Sequence, residues 1–97
     1  MNNLSVLAEL WGVISERIDT PVPSSYVSGL VSGPKGADRA LEKVGEEATE
    51  FILAVKNKDH HQVVSEAADL QFHLLVALKT SGIELEEVLA ELEKRRR

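Results

Sequence analysis

The chain contains no cysteine. Disulfides, thiolate metal ligands and a thiol nucleophile are therefore excluded, and a reducing compartment is suited, with the cytoplasm as the default expectation. Aromatic residues make up only 4%, so stacking platforms for nucleobases are scarce. A positive excess is also missing, since 11 Lys+Arg stand against 16 Asp+Glu, a formal charge of −5. That balance argues against an electrostatic grip on nucleic acid or on a membrane surface, and for a cationic partner. No long apolar run occurs, and the opening MNNLSVLAEL carries Glu9 instead of a basic stretch leading into an apolar one. Neither a signal peptide nor a membrane span is expected. The three prolines all fall between residues 19 and 36, with three of the six glycines, which bars a long regular element there. At 97 residues the chain is read as one domain, residues 1–97, too small for a deep private pocket.

What is present favours helix: Ala, Leu, Glu and Val dominate. Leu4, Leu7, Leu10, Trp11, Ile14 and Ile18 recur at steps of three and four, which predicts a first amphipathic helix from Leu4 to about Ile18. A helical turn is allowed within the loop, around Tyr26 to Val31. Asp38 caps or opens a second helix reaching about Asn57, with Leu41, Val44, Ala48, Phe51, Ile52 and Val55 on one face. Asp59 restarts a third, from about 60 to 80, on Val63, Ala67, Leu70, Leu74, Leu75 and Leu78, ended by Ser81-Gly82. The fourth uses Leu85, Val88, Leu89 and Leu92, with acids early and Lys94 to Arg97 late, as the helix dipole prefers. The expected fold is an all-α four-helix bundle. Its second and third helices form an antiparallel hairpin with a two-residue link, and its leftover apolar surface is completed by homo-oligomerisation, as a dimer or higher.

Two acidic pairs stand out, Glu47 with Glu50 and Glu66 with Asp69. At about 100° per residue the members of each pair lie about 60° apart, and both Glu47 and Glu66 flank an apolar stripe. A hairpin whose stripes face each other brings all four carboxylates into one shallow cleft. Like charges so close raise one another's pKa unless a cation neutralises them. Mg²⁺ suits such oxygen ligands, and Mn²⁺ fits the same set. The small neighbours Gly45, Ala48, Ala67 and Ala68 would let the helices approach or leave room for a nucleotide. Lys43 is placed to pair with Glu47 or reach a phosphate, and His73, one turn after Asp69, to orient a ligand or contact substrate. His60-His61 fall at the hairpin turn as a cap or surface feature, and GPKG lacks the spacing of a phosphate-binding loop. The competing reading of the acids is a solvated helix face with weak pairs.

The order E-x-x-E, a gap of 15 residues, then E-x-x-D resembles the MazG-type all-α nucleoside triphosphate pyrophosphohydrolases. Within them, KVGEEATEF followed by EAADLQFHLLVAL is similar to the phosphoribosyl-ATP pyrophosphohydrolase family of histidine biosynthesis. The likeness runs back through Arg39, Leu41 and Ser25-Tyr26 and forward through GIELEEVLAELEKR, covering nearly the whole chain. It implies Mg²⁺-dependent hydrolysis of 1-(5-phosphoribosyl)-ATP to the AMP compound and diphosphate, in a homo-oligomer with sites between helices. Position by position, the resemblance puts the metal-binding acids at Glu47, Glu50, Glu66 and Asp69, and adds Glu46, Lys43 and His73 as matching positions. Val27, Ser28 and Gly29 depart from the family's threonine and following basic residue, and Phe72 stands where tyrosine is expected.

Together these readings give a catalytic role to Glu47 or Glu50 as the base that takes a proton from water. Positive partners for phosphate are expected from Lys43, Arg39 or the C-terminal arginines. A housecleaning hydrolase of ordinary or aberrant nucleoside triphosphates is the alternative within the same chemistry, and a helical interaction module is the alternative outside it. Without the four proposed ligands the 16 acids fall to 12 against 11 bases, so most of the excess charge is assigned to one metal cleft.

Overall fold

The computed structural model describes residues 4–96, and these form five helices. They are α1 (Ser5–Asp19), α2 (Tyr26–Ser32), α3 (Ala37–Lys56), α4 (His60–Thr80) and α5 (Leu85–Arg95). The all-α expectation holds: α1 and α3 fall within one residue of their predicted bounds, and α4 matches them. The difference is α2: the turn allowed in the proline-rich loop is a helix of 7 residues, capped by Ser25, whose Oγ accepts from the Ser28 amide. Ser28 fixes the loop around it, donating through Oγ to the Arg17 carbonyl at 2.7 Å and accepting from the Val22 amide at 3.0 Å. Proline can stay in this segment because it lies outside α2.

The extensive contact between α3 and α4 makes them the hairpin that dominates the fold, and α1 and α2 lie across it. Its link is three residues, Asn57 to Asp59, one more than predicted, because α3 stops at Lys56. Lys58 takes a positive φ of 57° to turn the chain, and Asp59 caps α4 by accepting from the Gln62 amide. His60 and His61 are exposed, so Asp59 alone does the capping. Gly82, with φ 76°, separates α4 from α5. A reciprocal box between Glu84 and Glu87 then starts α5. Arg96 follows the last helical residue, and Arg97, the end of the predicted basic run, lies outside the described residues.

The core gathers Ile14, Val27, Leu30, Ala40, Leu75, Val76 and Leu85, with Leu10, Trp11, Phe72 and Leu78 packed against it. It thus sits at the open end of the hairpin, under α1 and α2. The predicted stripe of α3 is only partly covered, with Val44, Ala48 and Phe51 half-buried. Leu41, Ile52 and Val55 are 54%, 58% and 45% exposed, while Ala40, Glu47 and Ala54, seven residues apart, are the buried positions. On α4 the predicted stripe holds except at Leu74: Leu75 is buried and Val63, Ala67, Leu70 and Leu78 are half-buried, while His73, Val76 and Ala77 join the buried set. The reason is geometric. Residues seven apart return to nearly the same side of a helix, and two small alanines flanking Glu47 let α4 come close there. Gly45 and Ala68, expected to ease that approach, are exposed, and a Cβ at Gly45 would meet open space.

Candidate metal and nucleotide site

Because Glu47 lies on the inner side of α3, its carboxylate is carried into the hairpin seam, where it is 5% exposed. Glu66, Asp69 and His73 share one side of α4 at steps of three and four. Glu47, Glu66 and Asp69 each direct a carboxylate oxygen into one cluster, all within 4.8 Å of one another. Exposure rises across the trio, from buried Glu47 through half-buried Glu66 to exposed Asp69. The acids therefore line the seam, where the sequence placed Glu47 and Glu66 at its border. Glu50 lies outside this trio but close enough to affect both glutamates.

Two oxygens at the bottom of the cluster, Glu47 Oε2 and Glu66 Oε1, are buried and have no hydrogen-bond partner. An orphaned buried oxygen is costly, and this cluster holds two. Burial, with the hydrogen bonds and charges of Glu47 and Glu50, pushes the Glu66 carboxyl up to about 7. Burial acts on Glu47 in the same direction, but hydrogen bonds with Glu66, Lys43 and Glu50 outweigh it and hold Glu47 below the usual carboxylate value. The two carboxyls are thus pushed apart, Glu66 toward the protonated form and Glu47 toward the ionised one. A hard divalent cation satisfies both orphaned oxygens at once, so the donor set fits one.

Cations lie on the α2 side of this cluster. Lys43 Nζ is 3.3 Å from Glu47 and 3.6 Å from Glu46. Arg39 pairs with Glu46 at 3.0 Å and Glu42 at 3.2 Å, and Lys35 reaches Glu42 at 2.9 Å. Lys35, Arg39 and Lys43 together edge a cleft of 670 Å³ whose other wall includes Tyr26, Gly29 and Leu30 from α2. A smaller depression of 250 Å³, reaching from Glu50 and Glu66 to the hairpin turn, opens on the opposite side. Lys35 and the α2 wall were not among the residues predicted for the site, although a helical turn was allowed around Tyr26 to Val31. The Ser25 cap was the available signal. The C-terminal Lys94, Arg95 and Arg96 pair with Glu91 and Glu93 on their own helix and do not edge this cleft.

His73 is 6% exposed. Its Nδ1 lies 2.8 Å from the Asp69 carbonyl, which can only accept, so Nδ1 carries the hydrogen. In the neutral ring Nε2 is then the acceptor for the Tyr26 hydroxyl at 2.7 Å. The edge-on ring of Phe72 completes the packing. His73 therefore joins α2, which walls the cleft, to the turn of α4 that carries Asp69.

A family model described as phosphoribosyl-ATP pyrophosphohydrolase matches residues 7–96. Relatives named phosphoribosyl-ATP pyrophosphatase agree along the full length. The protein of Methanoregula boonei is 56% identical over 95 residues, covering 98% of this chain and 91% of the relative. That of Methanosphaerula palustris is also 56% identical, covering 100% and 98%, and that of Methanoculleus marisnigri is 55% identical with both chains covered completely. With the match spanning the acidic hairpin, the cationic cleft and the α2 wall alike, the chain belongs to the phosphoribosyl-ATP pyrophosphohydrolase family.

Proposed function

We propose that this chain, as one pyrophosphohydrolase domain over residues 1–97, hydrolyses 1-(5-phosphoribosyl)-ATP to 1-(5-phosphoribosyl)-AMP and diphosphate in cytoplasmic histidine biosynthesis. Family membership supplies the substrate class. The observation that carries the chemistry is the pair of buried, unpartnered oxygens on Glu47 and Glu66 inside a three-carboxylate cluster. A solvated helix face has no such oxygens, which disfavours the interaction-module reading.

In this reading Glu47, Glu66 and Asp69 hold Mg²⁺, or Mn²⁺ in its place, with Glu50 at the edge of the set. When bound, the cation offsets phosphate charge and favours ionisation of water. Glu50 is the better base of the two candidates, because Glu47 is committed to the trio and to Lys43. Its exposed carboxylate accepts the proton of the attacking water as the bond between the α- and β-phosphates breaks. Lys43, between cleft and cluster, steadies phosphate oxygens next to Glu47. Glu46 holds Arg39 and Lys43 in place, and His73 acts as a positioning residue for Tyr26 and Asp69.

The chain works as a homo-oligomer built on dimers. The stripe of Leu41, Ile52 and Val55 on α3, with Val64 on α4, is the surface a second copy covers. Among the described residues no helix is long and apolar enough to cross a membrane. Diphosphate release by the purified protein from phosphoribosyl-ATP, compared with release from dATP and dGTP, tests the substrate. The first is expected to be turned over far more efficiently, and a preference for the deoxynucleotides would overturn the assignment.

A further inference from the structure

We infer that Lys35 and Arg39 form a second anion subsite, which takes the phosphate of the phosphoribosyl group while the triphosphate lies at the acidic cluster. The inference rests on the function proposed above and deepens it, for that function leaves the far end of the 670 Å³ cleft unassigned. The cleft is bipolar. Its inner end meets Glu47 through Lys43 at 3.3 Å, and its outer end carries Arg39 and Lys35. Arg39 bridges the two ends, its guanidinium pairing with Glu46, which Lys43 also meets, and with Glu42, which Lys35 also meets. Lys43 faces the acidic cluster and Lys35 the outer rim, an arrangement that suits a substrate with a triphosphate on one ribose and a monoester phosphate on another. Between the ends, Tyr26 and Leu30 offer apolar surface to the purine and sugars.

The outer cations are paired in the free chain, but in an exchangeable way. Lys35 and Arg39 share Glu42, and Arg39 also holds Glu46, with the participating side chains 40% to 61% exposed. Pairs so open to solvent contribute little to stability. A dianionic phosphate offers more acceptors and more charge than a carboxylate, and the planar guanidinium of Arg39 suits two of its oxygens. Glu42 then acts as a placeholder that gives up both cations when the phosphate arrives. This subsite is also what separates phosphoribosyl-ATP from ATP, which lacks the second phosphate.

Steady-state kinetics with phosphoribosyl-ATP and Mg²⁺ on the parent, Lys35→Ala, Lys35→Arg and Glu42→Gln test this, with the Ki of ATP as competitor measured beside each. Lys35→Ala should raise KM about tenfold or more with kcat largely kept and the Ki of ATP unmoved. Lys35→Arg should restore KM, and Glu42→Gln should lower it by removing the competing carboxylate. An unchanged KM in Lys35→Ala, or parallel shifts in KM and the ATP Ki, would overturn the subsite and leave the proposed function standing. A parent that leaves phosphoribosyl-ATP intact overturns the functional reading, and the subsite with it.

Discussion

The Tyr26 hydroxyl meets Nε2 of His73 at 2.7 Å, across 47 residues of sequence. This bond joins the wall of the cleft to the helix that bears Glu66 and Asp69, and His73 passes the constraint on through the Asp69 carbonyl. Tyr26→Phe removes the donor and leaves a buried acceptor unpaired. Urea unfolding is expected to show a loss of about 1–2 kcal/mol at unchanged slope. Stability equal to that of the parent would mean that the bond does not tie α2 to α4.

Divalent cation binding should stabilise the fold, because it satisfies Glu47 Oε2 and Glu66 Oε1. At a free concentration one hundred times Kd the gain is about 2.7 kcal/mol. Thermal unfolding with Mg²⁺ or Mn²⁺ against EDTA checks this, and Asp69→Asn, which removes one of the three ligands, should lose most of the shift. A Tm that ignores the cation in the parent contradicts the site.

Without a divalent cation the stability profile against pH has a stated sign. The Glu66 carboxyl stands near 7 in the folded chain against 4.5 ordinarily, so between those values the folded state binds more protons than the unfolded one. Stability from this group therefore falls as pH rises from about 4.5 to 7. The lowered Glu47 acts the other way, stabilising above the ordinary carboxylate range and losing that contribution as pH falls below it. Unfolding series in EDTA for the parent and Glu66→Gln separate Glu66 from the histidines. The variant should lose the downward component in that window, and identical slopes would show that Glu66 titrates normally.

The exposed α3 stripe makes a prediction about mass. Ile52 is 58% exposed in the single chain, so Ile52→Glu is tolerated by the isolated fold but places a charge in the proposed interface. Sedimentation should show an oligomeric parent and a smaller, still helical variant. A monomeric parent, or a variant of unchanged mass, contradicts the use of this face.

Helix positions were legible because step-three and step-four periodicity survives any tertiary arrangement, and Ser81-Gly82 and Asp59 mark real boundaries. How much of the α3 stripe turns inward was not. Leu41, Ile52 and Val55 stay exposed and Val44, Ala48 and Phe51 are half-buried, while the small Ala40 and Ala54, with Glu47 between them, are the buried residues of α3. Periodicity finds an apolar face but does not say whether the same chain or a second copy covers it. The acidic residues were legible by spacing, whereas Lys35 and the α2 wall were not, since their association depends on how a proline-containing loop folds back. His73 was placed on the acidic border, but its burial and its bond to Tyr26 appear only once α2 is in place.

The central claim is that Glu47, Glu66 and Asp69 together hold the cation that hydrolysis requires. Initial rates of diphosphate release from phosphoribosyl-ATP, measured against Mg²⁺ concentration for the parent and Glu66→Gln, test it most directly. The account predicts no release without the cation, saturable activation of the parent, and a variant that needs far more Mg²⁺ and turns over at least a hundredfold more slowly, on the order of a lost metal ligand. Equal activity of the two proteins, or full release in EDTA, would contradict it.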